Sequence, residues 1–115
     1  MADNCLFCKM VSGAIKPDKV YEDEEVLAFK DINPQAPVHV LVIPKQHIAT
    51  LNDLQHDHAS LMGKLALTAA KLARELGVAE DGFRTVMNCN RDAGQSVWHV
   101  HLHLLGGRVM SWPPG

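Results

Sequence analysis

The sequence predicts an α+β domain in which a mostly antiparallel sheet is covered on one face by a single long helix. Three observations carry that expectation. Five short segments rich in β-branched and aliphatic residues are separated by turn-forming clusters, a stretch from Asp57 to Leu76 changes to helical periodicity, and this stretch precedes only the last two strands. The 115 residues suit one domain spanning 1–115, and the 47% hydrophobic content is enough to build a core.

Lys19-Val20-Tyr21-Glu22 reads as a strand that enters the acidic turn Asp23-Glu24-Glu25, and Val26 to Asp31 returns beside it. Asn33-Pro34-Gln35-Ala36-Pro37 is a turn-and-loop cluster bracketed by its two prolines. Val38 to Ile43 is rich in β-branched residues and halts at Pro44, as a strand does. Leu61, Met62, Leu65, Ala69, Leu72, Ala73 and Leu76 then recur at three- and four-residue spacing, one apolar stripe on a helix. Gly77 follows as a C-terminal cap, with Lys71 and Arg74 where the helix dipole favours cations. Phe83 to Cys89 is the fourth strand, Asn90 to Gln95 a polar loop, and Trp98 to Leu105 the fifth strand, halted by Gly106-Gly107. Ser111 to Gly115 lies outside regular structure, His56 and His58 face solvent, and Cys89 is a small buried residue.

The net charge of −2 with 21% charged residues lacks the basic footprint of a nucleic-acid binder, so any nucleotide held is small and read in a pocket. Met1-Ala2-Asp3-Asn4-Cys5 opens on an acid and has neither the basic nor the apolar part of a leader. No apolar run reaches membrane-spanning length, and a cytoplasmic location with no membrane partner is expected. Three cysteines is an odd number, so Cys5 and Cys8 read as thiols or metal ligands.

The chemistry concentrates in His99, His101 and His103, which alternate with Val100, Leu102 and Leu104. On a strand such residues share one face, and three rings there make a poor core because each buried imidazole needs partners for two nitrogens. Two readings follow from the residues alone. The histidines bind a metal, as in three-histidine zinc enzymes, or they act directly, a neutral ring attacking phosphorus while another donates to the leaving group.

The run His-Val-His-Leu-His-Leu-Leu resembles the signature of the histidine-triad (HIT) superfamily. Its flanks, Gly94-Gln95-Ser96-Val97 before and Gly106-Gly107-Arg108 with Trp112-Pro113-Pro114-Gly115 after, are similar to the Hint branch of nucleotide-binding proteins. So are Phe29-Lys30-Asp31-Ile32, Gln35-Ala36-Pro37-Val38-His39, Leu41-Val42-Ile43-Pro44-Lys45 and Asn88. The resemblance implies a HIT-like fold of five mostly antiparallel strands, one long helix and a short N-terminal helix, assembled as a homodimer. It implies hydrolysis of purine nucleoside phosphoramidates and of acyl and aminoacyl adenylates to the monophosphate, AMP or GMP, with no cofactor needed for catalysis.

Carried onto this chain, the resemblance makes His101 the nucleophile that forms a nucleotidyl adduct. The carbonyl of His99 fixes its tautomer, His103 holds phosphate and shares in protonating the amine, Ser96 assists at that amine, and His39 lies close by. Asp31 takes the ribose hydroxyls and Asn88 the sugar and phosphate, while Gly94, Gln95, Ser96 and Val97 surround the phosphate. Leu6, Phe7, Phe29, Ile32 and Leu41 form the slot for the base. Trp112 reaches the partner's site. Cys5 and Cys8, at C-x-x-C spacing, join His47 and His99 in a four-ligand set that suits structural zinc, as in similar bacterial members. Two alternatives remain open at this level: a metal-dependent hydrolase using the histidine strand as ligands, and a nucleotide-binding scaffold with vestigial hydrolysis.

Overall fold

The computed structural model describes residues 4–115. Five strands form one antiparallel sheet: β1 (Lys19–Glu22), β2 (Val26–Lys30), β3 (Val38–Pro44), β4 (Phe83–Val86) and β5 (Leu102–Gly106), in the order β1-β2-β3-β5-β4. A short helix, α1 (Leu6–Ser12), precedes the sheet, and a 17-residue helix, α2 (Ala59–Glu75), joins β3 to β4.

The period-two alternation of the central strands sorts the core into two layers. Val26 and Ala28 of β2, Val40 and Val42 of β3, and Leu102 and Leu104 of β5 face α2, where they pack against Leu65, Ala69, Leu72 and Ala73. Leu27, Phe29, Leu41 and Ile43 face the other way and pack against Cys5, Phe7 and Cys8 at the start of α1. Both faces of β2 and β3 are therefore covered, which is why these strands read as nearly continuous apolar runs.

The expected elements are present with shifted ends, each for an identifiable reason. Helix α2 starts at Ala59 because His56–His58 forms a 3₁₀ turn, closed by the Gln55 N–H donating to His58 Nδ1 at 2.9 Å. That contact leaves His58 half-buried, whereas His56 is exposed. At the other end Gly77, with φ of 79°, closes a Schellman motif: its N–H donates to Arg74 O and that of Val78 to Ala73 O. Val78 then presses on β5 so closely that a Cβ on Gly106 would lie 2.8 Å from Val78 Cβ.

The fifth strand differs most from expectation, starting at Leu102 and not at Trp98. Pro44 ends β3 without an N–H, its carbonyl accepts a side-chain bond from His99, and the Val100 N–H turns to Ile48 O at 2.7 Å. Residues 99–101 thus leave the ladder while still alternating sides. Val100 packs with Ile48 and Leu61, whereas the rings of His99 and His101 lie against Phe7. Strand β4 stops at Val86, which pairs with His103 near the start of β5, so Met87 to Cys89 have no partner strand, and Cys89 is half-buried.

Candidate active site

The site forms where the α1 face of the sheet meets the segment leading into β5. A cavity of about 460 Å³ opens there, lined by His101 and His103, by Ser96 and Val97, by Asp31, and by the apolar side chains of Leu6, Phe7, Phe29, Ile32 and Leu41. These are ten of the residues expected at the site. Met10, Ile15, Lys16, Pro17, Asp18 and Lys30 complete the wall; Lys30 stands in the Phe29–Ile32 match without a role of its own, and no pattern marks the other five beforehand.

Hydrogen bonds assign a proton to each histidine, because a carbonyl only accepts and a backbone N–H only donates. His101 Nδ1 lies 2.7 Å from His99 O, so Nδ1 carries the proton and Nε2 keeps its lone pair. The ring is 7% exposed and packs edge-on against Phe7, with centroids 5.1 Å apart and planes at 89°. His39 Nδ1 accepts from the Gln35 N–H at 3.0 Å, which places the His39 proton on Nε2. That nitrogen lies 2.9 Å from His103 Nδ1 and 3.4 Å from Asp31 Oδ2. His103 therefore accepts at Nδ1 and bears its own proton on Nε2. His101 thus offers an unprotonated nitrogen and His103 an N–H, with the two ring centroids 5.0 Å apart.

Burial keeps the His103 ring neutral near pH 7. Burial pushes the His103 pKa down to about 4, helped by His101 and His39 and opposed by the Asp31 carboxylate. His39 is also lowered by burial, again against Asp31.

Asp31, His39 and His103 bring three donor atoms close enough for a metal ion. The Gln35 N–H argues against that use. It requires a lone pair on Nδ1 and so leaves Nε2, the nitrogen a metal would need, carrying the proton.

The second cluster has the opposite character. His99 Nε2 donates to Pro44 O at 2.7 Å, which turns the Nδ1 lone pair toward Cys5 Sγ at 3.5 Å, Cys8 Sγ at 3.6 Å and His47 Nδ1 at 3.2 Å. His47 Nδ1 lies 3.3 Å from Cys8 Sγ. A zinc tetrahedron with Zn–N and Zn–S bonds of about 2.05 and 2.3 Å has edges of about 3.3 Å between nitrogens and about 3.5 Å between nitrogen and sulfur. The four separations above lie close to those edges, and the Pro44 carbonyl supplies the outer hydrogen bond that a metal-bound histidine needs. His99 is wholly buried, and burial is the main cause that lowers its pKa, leaving a neutral ring suited to coordination.

Four of the residues expected to contact the nucleotide lie off the cavity wall. The Gln95 side chain is buried and fully engaged: its amide N–H₂ donates to Ala49 O and Val97 O, and its oxygen accepts from Asn90 N. It braces the loop from within and leaves only backbone for a ligand. Gly94, with φ of 79°, ends the 3₁₀ turn Arg91–Ala93. Asn88 is half-buried and apart from the cavity. Trp112 is 81% exposed, its ring 5.8 Å from the guanidinium of Arg84 on β4. The Ser96 hydroxyl makes no hydrogen bond among the described residues and is free for a ligand.

Comparison with known proteins agrees with this geometry. The family model described as HIT domain matches residues 12–110. The purine nucleoside phosphoramidase of Escherichia coli K12 is 49% identical over 110 residues, covering 96% of this chain and 92% of that protein. Among solved structures, a HIT family hydrolase from Legionella pneumophila Philadelphia 1 superposes with a TM-score of 0.96 at 54% identity, covering 97% of this chain and all of the other. A histidine triad nucleotide-binding protein from Candida albicans gives 0.81 at 34% identity, covering 96% of this chain and 83% of the other. The chain belongs to the HIT-domain family, and it is a hydrolase.

Proposed function

We propose that this protein hydrolyses purine nucleoside phosphoramidates, and acyl and aminoacyl adenylates, to the nucleoside monophosphate through an adduct on His101. The observation that carries this reading is the 2.7 Å bond from His101 Nδ1 to the His99 carbonyl, which leaves Nε2 unprotonated in a ring that lines the cavity. The similarity to a purine nucleoside phosphoramidase supports the substrate class.

The base lies in the slot between Leu6, Phe7, Phe29 and Ile32, and the ribose hydroxyls donate to Asp31. His101 Nε2 attacks phosphorus, the phosphorus–nitrogen bond to the leaving amine breaks, and the amine departs with a proton that His103 takes up from solvent and passes on. A positioned donor for that proton is worth about 100- to 10,000-fold. His103 Nε2–H holds a phosphoryl oxygen, whose negative charge raises the ring's proton affinity toward what an acid requires. Ser96 assists at the amine. Water then attacks the adduct, releases the monophosphate and restores His101.

Zinc on Cys5, Cys8, His47 and His99 fits as a structural brace. It would tie the start of α1 to His99, whose carbonyl orients the nucleophile. Exposed Leu67 on α2 and projecting Trp112 support assembly of two copies, and three cysteines, an odd number with two of them in a metal-ligand set, are in keeping with a reducing, cytoplasmic setting.

The test compares His101→Ala and His103→Ala on adenosine phosphoramidates and on an acyl adenylate. The first variant should lose several orders of magnitude with every substrate. The second should suffer most with alkyl amines and least with the acyl leaving group. His101→Ala turning over near the wild-type rate would refute the proposal.

A further inference from the structure

A line of contacts joins the sugar side of the cavity to its proton donor. The pairing of β2 with β3 continues one residue further, through the Asp31 N–H donating to His39 O at 3.0 Å, so the two side chains stand next to each other. Asp31 Oδ1 is held by the Asn33 N–H at 2.8 Å, which orients the carboxylate so that Oδ2 faces His39 Nε2 at 3.4 Å. A turn aspartate needs only the first of these contacts. The second puts a carboxylate oxygen in competition with His103 Nδ1, 2.9 Å away, for the one proton that the Gln35 N–H leaves on His39. While His103 receives that proton, its own stays on Nε2. If Asp31 takes it, His103 Nδ1 loses the donor that fixes its tautomer, and the His103 proton is free to move to the nitrogen that faces away from substrate.

We propose that Asp31 is a positioning residue for His103, acting through His39, and that the ribose hydroxyls of the substrate set this chain by occupying the Asp31 carboxylate. The inference rests on the functional reading above and adds to it a role for the sugar in the chemical step. Hydroxyls that donate to Asp31 use its lone pairs and leave the His39 proton to His103. A sugar without them leaves Asp31 free to compete, so the loss appears in kcat as well as in KM. Removing the carboxylate removes the competitor, after which kcat is indifferent to the sugar.

The experiment measures kcat and KM separately for adenosine 5′-phosphoramidate and its 2′,3′-dideoxy counterpart, on wild type and on Asp31→Ala. It adds ¹⁵N chemical shifts of His39 and His103 in wild type bound to AMP or to 2′,3′-dideoxy-AMP. Wild type should lose at least about tenfold in kcat on the dideoxy substrate, a fraction of what a positioned acid supplies. Asp31→Ala should bind both substrates more weakly yet turn them over within about twofold of each other, as expected when a transition-state interaction no longer differs. The His103 shifts should report a single Nε2–H tautomer with AMP and a mixture with the dideoxy nucleotide. A wild-type effect confined to KM, or a kcat ratio that survives in Asp31→Ala, overturns the proposal while hydrolysis itself stands. Should the variant not fold, the wild-type shifts decide, and identical tautomers in the two complexes overturn it. A wild-type protein that hydrolyses neither compound overturns this inference together with the functional reading.

Discussion

Asn90 adopts φ of 66° and ψ of −168°, a region that glycine occupies nearly alone. Holding a side chain there costs about 1–3 kcal/mol. The conformation persists because the loop is tied down around it. The Asn90 N–H donates to Gln95 Oε1 at 2.9 Å, the Asn90 carbonyl accepts from Gln95 N at 3.1 Å, and the Gln95 amide reaches across to Ala49 O at 2.8 Å. Both Asn90 contacts are through backbone, so Asn90→Gly keeps them and removes the Cβ that causes the strain. Glycine adds unfolded-chain entropy worth about 0.5–1 kcal/mol. The balance is a gain of about 1 kcal/mol, or about 4 °C in Tm for a domain of this size. Asn90→Ala should move the other way, since alanine tolerates positive φ less well than asparagine. Thermal and urea unfolding of the three proteins provide the assay, with turnover expected to stay within about twofold because Asn90 lies off the cavity wall. If Asn90→Gly melts below wild type, or both variants shift alike, the strain argument is wrong.

Purified protein should carry about one zinc per chain, by the four-ligand rule. Cys5→Ser combined with Cys8→Ser should lose it, melt lower and turn over more slowly; metal-free protein of undiminished Tm contradicts the brace. The buried histidines also set a pH dependence. His103 titrates near 6.5 in the unfolded chain and near 4 when folded, so below pH 6.5 the unfolded state takes up a proton that the folded state refuses. Stability should therefore fall between pH 7 and 5, by at most about 1.4 kcal/mol per pH unit for each such ring. His39 and His99 act in the same direction. A Tm that holds level or rises on acidification over that range contradicts the assignment.

Much of the architecture is written in local pattern. The stripe from Leu61 to Ala73 and the alternation in Val26–Phe29 and Val40–Ile43 specify which faces meet, and Gly77 marks the end of α2. The histidine run and the C-x-x-C pair are legible because so few structural roles use them. What the pattern leaves out depends on single hydrogen bonds between distant residues. Nothing near Gln95 tells that its amide closes on Ala49, 46 positions away, and is spent on the loop. Nothing near Trp98 tells that the His99 ring will take the Pro44 carbonyl and delay β5 to Leu102. The Asp31–His39 contact needs the register of β2 on β3, and the outer wall at Met10, Ile15 and Lys16 comes from a connecting segment with no periodicity.

The central claim is that His101 bonds covalently to phosphorus. Its most direct test is intact-protein mass spectrometry of samples quenched without acid during turnover of an adenosine phosphoramidate, followed by peptide mapping. The account predicts a transient gain of one adenylyl group, located on His101 and absent from His101→Ala. Rapid single turnover with no adduct, or an adduct on any other residue, would contradict it.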